Sequence, residues 1–170
     1  MPHPFSPGSP RLKLVLLLLL SLVGAACARG EPAADFSMTL FQGGEFQLSE
    51  VTRDQAVVVN FWYPSCPPCR EEMPHFEAAW QELQGRDVRF LGVFVPQGFD
   101  TEEDARRFVA ELGLTFDFGT DQQARIAEAY GLQVFPTTYF ISRGGRVFSV
   151  EIANLDTETI TGIVEAMLDG

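Results

Sequence analysis

The residues of this 170-residue chain that are best suited to chemistry are two cysteines, Cys66 and Cys69. They follow an apolar run at residues 57–62 and a break at Pro64 and Ser65, so we expect them to open a helix. A thiol at a helix N-terminus has a lowered pKa, because free backbone N–H groups and the helix dipole stabilise the thiolate. The second cysteine would lie one turn further on, close enough to form a small disulfide ring. The pair can therefore cycle between dithiol and disulfide.

The N-terminal part of the chain has the composition of an export signal. Arg11 and Lys13 precede an apolar run at residues 14–23, which has the length of a signal-peptide core and is short for a membrane span. The Gly-Ala-Ala-Cys stretch that ends at Cys27 resembles a bacterial lipobox, in which this cysteine would be lipidated. Cleavage after Ala28 and an uncleaved anchor are the alternatives. All three place the rest of the chain outside the cytoplasmic membrane.

Length and composition fit one folded domain behind this leader. We expect a leader at residues 1–27, a linker at 28–34 and a single domain at 35–170. The formal net charge of −11 argues against nucleic-acid binding and against electrostatic attachment to anionic lipid. Such a charge is typical of a soluble acidic surface, and we expect a monomer.

The cysteine count leaves no material for a structural disulfide framework. Of the three cysteines, Cys27 belongs to the leader, so Cys66 and Cys69 are the only plausible pair. A structural zinc site needs four ligands, and with His75 the domain offers three. Covalent haem attachment needs a histidine directly after the second cysteine, where this chain has Arg70. We therefore expect a redox-active pair with no metal and no cofactor.

Strand and helix patterns alternate around these cysteines. Residues 56–62 form a near-continuous apolar run, which is typical of a strand covered on both faces. The helix after the cysteines carries apolar residues at helical spacing and contains Pro74, which is expected to kink it. A strand at 88–95 completes a β-α-β unit, which implies a parallel pair. The other expected elements are an N-terminal hairpin over 36–48, helices at 101–112 and about 121–130, a hairpin of strands 138–142 and 146–151, and a last helix from about 156.

Two segments carry a resemblance to a known family. The pattern W-x-x-x-C-P-P-C-R-x-E-x-P, from Trp62 to Pro74, resembles the active-site segment of the TlpA/ResA-like thiol-disulfide oxidoreductases. Residues 134–141 resemble that family's cis-proline segment and the strand after it. The resemblance covers residues 34–168. It implies an α/β fold of the thioredoxin-like type, with a central mixed β-sheet flanked by helices, an N-terminal β-hairpin and a central helical insertion.

The resemblance also implies roles for individual residues around the two cysteines. Cys66 would attack the disulfide of a partner protein, and Cys69 would then resolve the mixed disulfide. Pro136 would be cis and would aim the backbone of Phe135 at an extended substrate, with Thr137 beside it. These five residues form the predicted reaction centre and substrate-binding segment.

Glu72 and Trp62 each have two interpretations, and Asn60 departs from the thioredoxin pattern. By resemblance, Glu72 would tune proton transfer and partner choice; the alternative is a solvated helix glutamate. Asn60 stands where thioredoxins carry a buried aspartate, and an amide cannot take the proton of the second cysteine, so Glu72 or water must accept it. Trp62 would cover the site and contact the substrate, with packing in the core as the alternative.

The resemblance implies an exported enzyme that reduces disulfides in extracytoplasmic proteins, with apocytochrome c cysteines as the expected clients. It also implies a membrane thiol reductase of the DsbD/CcdA kind as the electron donor. One alternative is a disulfide-forming oxidase with the same site. Another is a peroxiredoxin, which relies on a lone peroxidatic cysteine. From a different class comes a copper-binding assembly factor of the SCO type, which uses a CxxxC pair and a distant histidine, but no histidine follows His75.

Overall fold

The computed structural model describes residues 30–170, so the predicted leader and Cys27 lie outside the described residues. A small N-terminal hairpin and a short helix precede the first long strand. The elements, in chain order, are β1 (Ser37–Thr39), β2 (Glu45–Gln47), α1 (Leu48–Val51), β3 (Ala56–Trp62), α2 (Pro67–Leu83), β4 (Val88–Phe94), α3 (Glu102–Glu111), β5 (Asp117–Thr120), a 3-10 turn (Gln122–Ala124), α4 (Arg125–Ala129), β6 (Thr137–Ser142), β7 (Arg146–Glu151) and α5 (Thr157–Asp169).

The main sheet has five strands in the order β5-β4-β3-β6-β7. Strand β3 runs parallel to β4, as the β-α-β pattern predicted, and antiparallel to β6. Strands β1 and β2 form a separate antiparallel hairpin, which touches β5 through a bridge between Leu40 and Gly119. The sheet is therefore mixed, and β3 lies at its centre.

Strand β3 is buried along all seven of its residues because both faces of the sheet are covered. Its side chains alternate between two apolar clusters, as the period of a strand requires. Val58 and Trp62 join the cluster under α2, α3 and α5, whereas Val59 and Phe61 join the cluster under the N-terminal hairpin and α4. This double burial fixes the end of β3, where the cysteines follow.

The helix that carries the cysteines continues through Pro74 as one element of 17 residues. It packs against α5, whose buried residues are Ile160, Val164 and Met167. Two helices thus cover the same face of the sheet, and the start of α2 is placed at the end of β3.

Strand β5 is a feature that the sequence pattern did not predict. The segment Asp-Phe-Gly-Thr contains only one large apolar residue, Phe118, and a glycine, so it carries no strand signal of its own. Gly119 allows the close approach of the N-terminal hairpin, since a Cβ there would lie 2.7 Å from the Thr39 carbonyl oxygen. The strand therefore forms because its neighbours on both sides hold it in place.

The helix predicted at 121–130 is wrong in its first part. Gln123 and Ala124 have positive φ angles of 63° and 54°, and regular helix begins only at Arg125. The buried Asp121 carboxylate accepts hydrogen bonds from the backbone N–H groups of Ile126 and Ala127, at 3.0 and 2.8 Å. The Asp121 side chain therefore caps the N-terminus of α4, although residues 122–124 between them are not part of that helix.

Candidate active site

Cys66 is the N-cap residue of α2, and Pro67 occupies the first helical position. Proline suits that position because its missing N–H would have no helical partner there. The Cys66 Sγ accepts a hydrogen bond from the Cys69 backbone N–H at 3.2 Å. The two cysteines are joined by a disulfide with an S–S distance of 2.03 Å and a Cα–Cα distance of 5.3 Å. The predicted pairing and its place at the helix start thus agree with the structure.

Both sulfur-bearing residues are nearly enclosed in the oxidised form. Cys66 is 2% exposed and Cys69 is fully buried, so both are shielded from solvent in the disulfide. The neighbours Ser65 and Pro67 are exposed and form the rim around it. The exposed rim thus lies on the side of Cys66, at the start of the helix.

The peptide bond between Phe135 and Pro136 is cis. Strand β6 begins directly after it, and Thr137 pairs with Phe61 near the end of β3. The chain thereby brings Pro136 to the same end of the sheet as the cysteines. The Thr137 hydroxyl donates a hydrogen bond to the Val134 carbonyl oxygen at 2.7 Å, which holds the loop in shape.

The ring of Phe135 is occupied by packing inside the domain. It lies edge-on to Tyr63, with ring centroids 5.1 Å apart. Tyr63 is the first residue after β3, so this contact links the cis-proline loop to the segment that leads into the cysteines. The side chain of Val134, the residue before Phe135, is half-exposed.

Glu72 is fully buried, which excludes the interpretation as a solvated helix residue. Its Oε1 accepts a hydrogen bond from the Asn60 side chain at 2.8 Å, and its Oε2 accepts one from the Leu155 backbone N–H at 3.3 Å. Burial raises the pKa of Glu72 to about 8, and these two hydrogen bonds oppose that rise. One turn after Cys69 on α2, the domain thus holds a carboxyl group that can change protonation near neutral pH.

Asn60 connects Glu72 to the cis-proline strand. Its Nδ2 donates to Glu72 and also to the Thr138 hydroxyl, at 3.0 Å. Its Oδ1 is buried and has no hydrogen-bond partner among the described residues. Thr138 is two residues after Pro136, so one amide side chain bridges strand β3, helix α2 and strand β6 below the cysteines.

Trp62 lies in the core and not at the substrate surface. It is fully buried and packs against Phe94, Phe108 and Phe118, with ring centroids 5.3 to 6.0 Å apart. Because Trp62 is in the cluster under α2 and α3, its ring supports the site from within. The predicted substrate contact of Trp62 is therefore corrected to core packing.

Two contacts at the rim were not predicted from the sequence. The Asp100 carboxylate accepts hydrogen bonds from the Ser65 hydroxyl at 2.6 Å and from the Ser65 backbone N–H at 3.3 Å. Arg70 donates to the Pro64 carbonyl oxygen at 3.1 Å and lies over the Phe108 ring at 4.6 Å. The Asp100 contact joins residues 35 positions apart, so no local pattern could have indicated it.

Among residues 30–170, no group of three or more His, Cys, Asp and Glu side chains could hold a metal ion. His75, the possible third zinc ligand, is hydrogen-bonded through Nδ1 to the Thr157 hydroxyl at 3.1 Å. In the same range, none of the helices has the length and apolar character needed to cross a membrane.

Comparison with known proteins gives consistent results. The model of the AhpC/TSA family matches residues 29–150. Thiol-disulfide oxidoreductase ResA from Geobacillus thermodenitrificans (strain NG80-2) is 30% identical over 165 residues, which cover 91% of this chain and 92% of that protein. Sporulation thiol-disulfide oxidoreductase A from Bacillus subtilis (strain 168) is 24% identical and covers 88% of this chain and 94% of its own.

Solved structures show the same architecture. A thiol:disulfide interchange protein of the thioredoxin family from Chlorobium tepidum TLS superposes with a TM-score of 0.73 at 26% identity, over 84% of this chain and 99% of that one. StoA from Bacillus subtilis gives a TM-score of 0.70 at 20% identity, over 78% of this chain and 97% of that one. The expected thioredoxin-like fold is therefore confirmed.

Fold, site and relatives together define the class of protein: a thiol-disulfide oxidoreductase with a thioredoxin-like fold. The chain belongs to the AhpC/TSA family, and the oxidoreductases named ResA are among its relatives.

Proposed function

We propose that this protein works as a reductant of disulfides in exported proteins. The observation that carries the proposal is the arrangement of the Cys66–Cys69 pair at a helix start, with buried Glu72 one turn below it. When Glu72 is ionised, its negative charge disfavours a thiolate close to it, which destabilises the charged reduced form and favours electron donation. Glu72 can also accept the proton of Cys69, which the amide of its neighbour Asn60 cannot do.

The reaction balances within the dithiol. The Cys66 thiolate attacks one sulfur of the substrate disulfide, and the other sulfur leaves as a thiolate. Cys69 loses its proton to ionised Glu72 or to water and attacks the Cys66 sulfur of the mixed disulfide. The second substrate thiolate leaves, two electrons have passed to the substrate, and the Cys66–Cys69 disulfide has formed. A dithiol donor must then reduce the protein again.

Pro136, Phe135 and Thr137 would receive the substrate. Strand β6 begins just after the cis-proline, so the backbone of Phe135 lies where an extended peptide could add beside it. The expected clients are exported proteins, with apocytochrome c cysteines first among them, and the expected donor is a membrane thiol reductase of the DsbD/CcdA kind. We further propose a monomer without a metal or a cofactor.

The deciding experiment is a titration of the Cys66/Cys69 pair in a thiol redox buffer. We expect a two-electron potential near or below about −250 mV, since thioredoxin-type reductants lie in that range. A potential near about −120 mV would indicate a disulfide-forming oxidase instead. Cys66→Ala should abolish disulfide reduction, whereas Cys69→Ala should trap the mixed disulfide. Full activity of the Cys66→Ala variant would overturn the mechanism.

Export and lipidation by way of Cys27 are part of the same proposal. They rest on the basic start, the apolar run at 14–23 and the lipobox-like sequence. Mass spectrometry of the membrane-bound protein expressed from the full chain should show an N-terminus at Cys27 that carries lipid, and Cys27→Ser should remove that lipid. If the wild type keeps its leader, the segment is an uncleaved anchor.

A further inference from the structure

A turn beside the active site presents a phenylalanine to solvent. Residues 97–100 form this turn, in which the Asp100 backbone N–H donates to the Gln97 carbonyl oxygen at 2.9 Å and Gly98 has a φ of 58°. Phe99 is 101% exposed, more than any other large apolar residue described. Burial of a phenylalanine stabilises a fold by roughly 1.5–3 kcal/mol, and Phe99 contributes none of that to this domain. Such a side chain is available to a partner.

The turn is held next to the reactive cysteine. It follows β4, whose last residue pairs with Trp62 at the end of β3, and the Val95 backbone N–H donates to the Trp62 carbonyl oxygen. The Asp100 carboxylate then bonds to Ser65, the residue before Cys66. Phe99 is therefore fixed at the rim of the site on the β4 side.

A second apolar side chain lies on the other side of the site. Val134 is 50% exposed and precedes the cis peptide bond between Phe135 and Pro136. The turn with Phe99 follows β4 and the loop with Val134 precedes β6, and these two strands flank β3 on opposite sides. A peptide whose disulfide reaches Cys66 passes next to Ser65, to which the turn that carries Phe99 is hydrogen-bonded.

The negative charge of the segment that follows Phe99 favours a partner with a basic side chain. The segment 99–107 carries four carboxylates against two guanidinium groups. Glu102 pairs with Arg106 and Asp104 with Arg107, whereas Glu103 is exposed and forms no ion pair among the described residues. A partner with a lysine or arginine beside its apolar residue would meet an unpaired carboxylate here.

We propose that Phe99 and Glu103 form a docking surface for the protein substrate and determine which disulfides react. The occupant is an extended polypeptide segment with an aromatic or long aliphatic side chain near its disulfide cysteine and a basic side chain further along. Phe99 packs against the apolar side chain, and Glu103 binds the basic one. This inference rests on the thiol-disulfide exchange at Cys66 and holds for either direction of electron flow.

The test uses the reduced protein and synthetic disulfide-bonded peptides. One peptide carries Leu and Lys next to the cysteine, a second has Ser in place of Leu, and a third has Glu in place of Lys. In each reaction the Cys66 thiolate displaces one peptide thiolate and Cys69 displaces the other, so one peptide disulfide becomes two thiols. Acid quenching and chromatography give kcat/KM. The neutral bis(2-hydroxyethyl) disulfide reports the intrinsic reactivity of the cysteines.

For Phe99→Ser we expect a loss of about tenfold in kcat/KM with the Leu peptide, since burial of one side chain is worth at least that factor. The rate with the small disulfide should stay unchanged, which also shows that the variant is folded. Phe99→Leu should keep most of the preference for the Leu peptide over the Ser peptide. The matched control is Phe148→Ser, which should react with the Leu peptide as the wild type does. Phe148 is 46% exposed, and it lies away from the turn on the edge strand β7.

For Glu103→Lys we expect the preference between the Lys and Glu peptides to reverse. The control is Glu50→Lys, which changes the net charge equally but lies on α1, before the start of β3 and thus at the far end of that strand from Cys66. Equal effects of both charge variants would refute a local role of Glu103 and leave only a general electrostatic effect.

Two outcomes separate this inference from the proposed function. If Phe99→Ser reduces all three peptides as fast as the wild type does, the docking surface is refuted while the oxidoreductase activity stands. If the wild type fails to react even with the small disulfide, the exchange chemistry itself is refuted and the docking proposal fails with it.

Discussion

The burial of Glu72 predicts how the stability of the folded domain changes with pH. The folded protein holds the proton of Glu72 with a pKa of about 8, against an ordinary value of 4.5. The folded state therefore binds more protons than the unfolded state between these two pH values, and stability falls as the pH rises through that window. Below it both states are protonated, and above it both are ionised, so the loss is complete.

The magnitude follows from the same two values. Each pH unit inside the window costs about 1.4 kcal/mol, so the free energy of unfolding should fall by roughly 3 to 4 kcal/mol between pH 5 and pH 8 from this one group. That is a large part of the stability of an ordinary domain. Replacement of the carboxyl by an amide in Glu72→Gln removes the titration. The Gln side chain can donate to the Asn60 Oδ1, which has no partner among residues 30–170 of the wild type, if the Asn60 amide turns over.

The measurement is urea unfolding of the oxidised protein at several pH values between 5 and 8. The difference in the free energy of unfolding between wild type and Glu72→Gln should change by roughly 3 to 4 kcal/mol over this range, with the variant favoured at high pH. The control is Glu71→Gln, the exposed neighbour, whose profile should follow that of the wild type. Parallel profiles of the wild type and Glu72→Gln would show that Glu72 is ionised in the folded state at neutral pH, and the reasoning from burial would fail.

Three further predictions concern the stability of the domain. Gly92→Ala should destabilise the domain by roughly 1–3 kcal/mol, because the new Cβ would lie 2.4 Å from the Phe118 ring. Gly162→Ala should instead stabilise it by up to about 1 kcal/mol, because Gly162 lies on helix α5 and a Cβ there meets open space. Thermal or urea unfolding measures both effects. Thr101→Ala should cost about 1 kcal/mol in the same assay, because it removes half of the capping box that Thr101 forms with Asp104 at the start of α3; an unchanged midpoint would show that the box is not formed in solution.

The local part of the site was predictable from the sequence because neighbouring residues determine it. The place of Cys66 and Cys69 follows from an apolar strand, a Pro/Ser break and a helix, all within one short stretch. The cis peptide bond at Pro136 followed from a family resemblance and is present in the structure. For the cysteines, the determining residues lie within a few positions of one another.

The tertiary part could not be predicted in this way. Strand β5 has little apolar character and forms between β4 and a bridge to the N-terminal hairpin. The burial of Trp62 depends on Phe108 and Phe118, which come from α3 and from that same unpredicted strand. Asp100 reaches Ser65 only after β3 and β4 have paired. These contacts join residues that no periodicity relates.

Asn60 shows how a departure from the thioredoxin pattern can still serve the chemistry. Where an aspartate would place the buried acid on β3, this chain places it on α2 as Glu72 and puts an amide beside it. An amide can serve both protonation states, since its Nδ2 donates to an ionised carboxylate and its Oδ1, which has no partner within the described part of the chain, can accept from a protonated one. An aspartate could do so only if it or Glu72 kept a proton, because two carboxylates at that distance disfavour joint ionisation. The substitution therefore leaves Glu72 as the one carboxyl in this hydrogen-bonded group that changes charge during proton transfer.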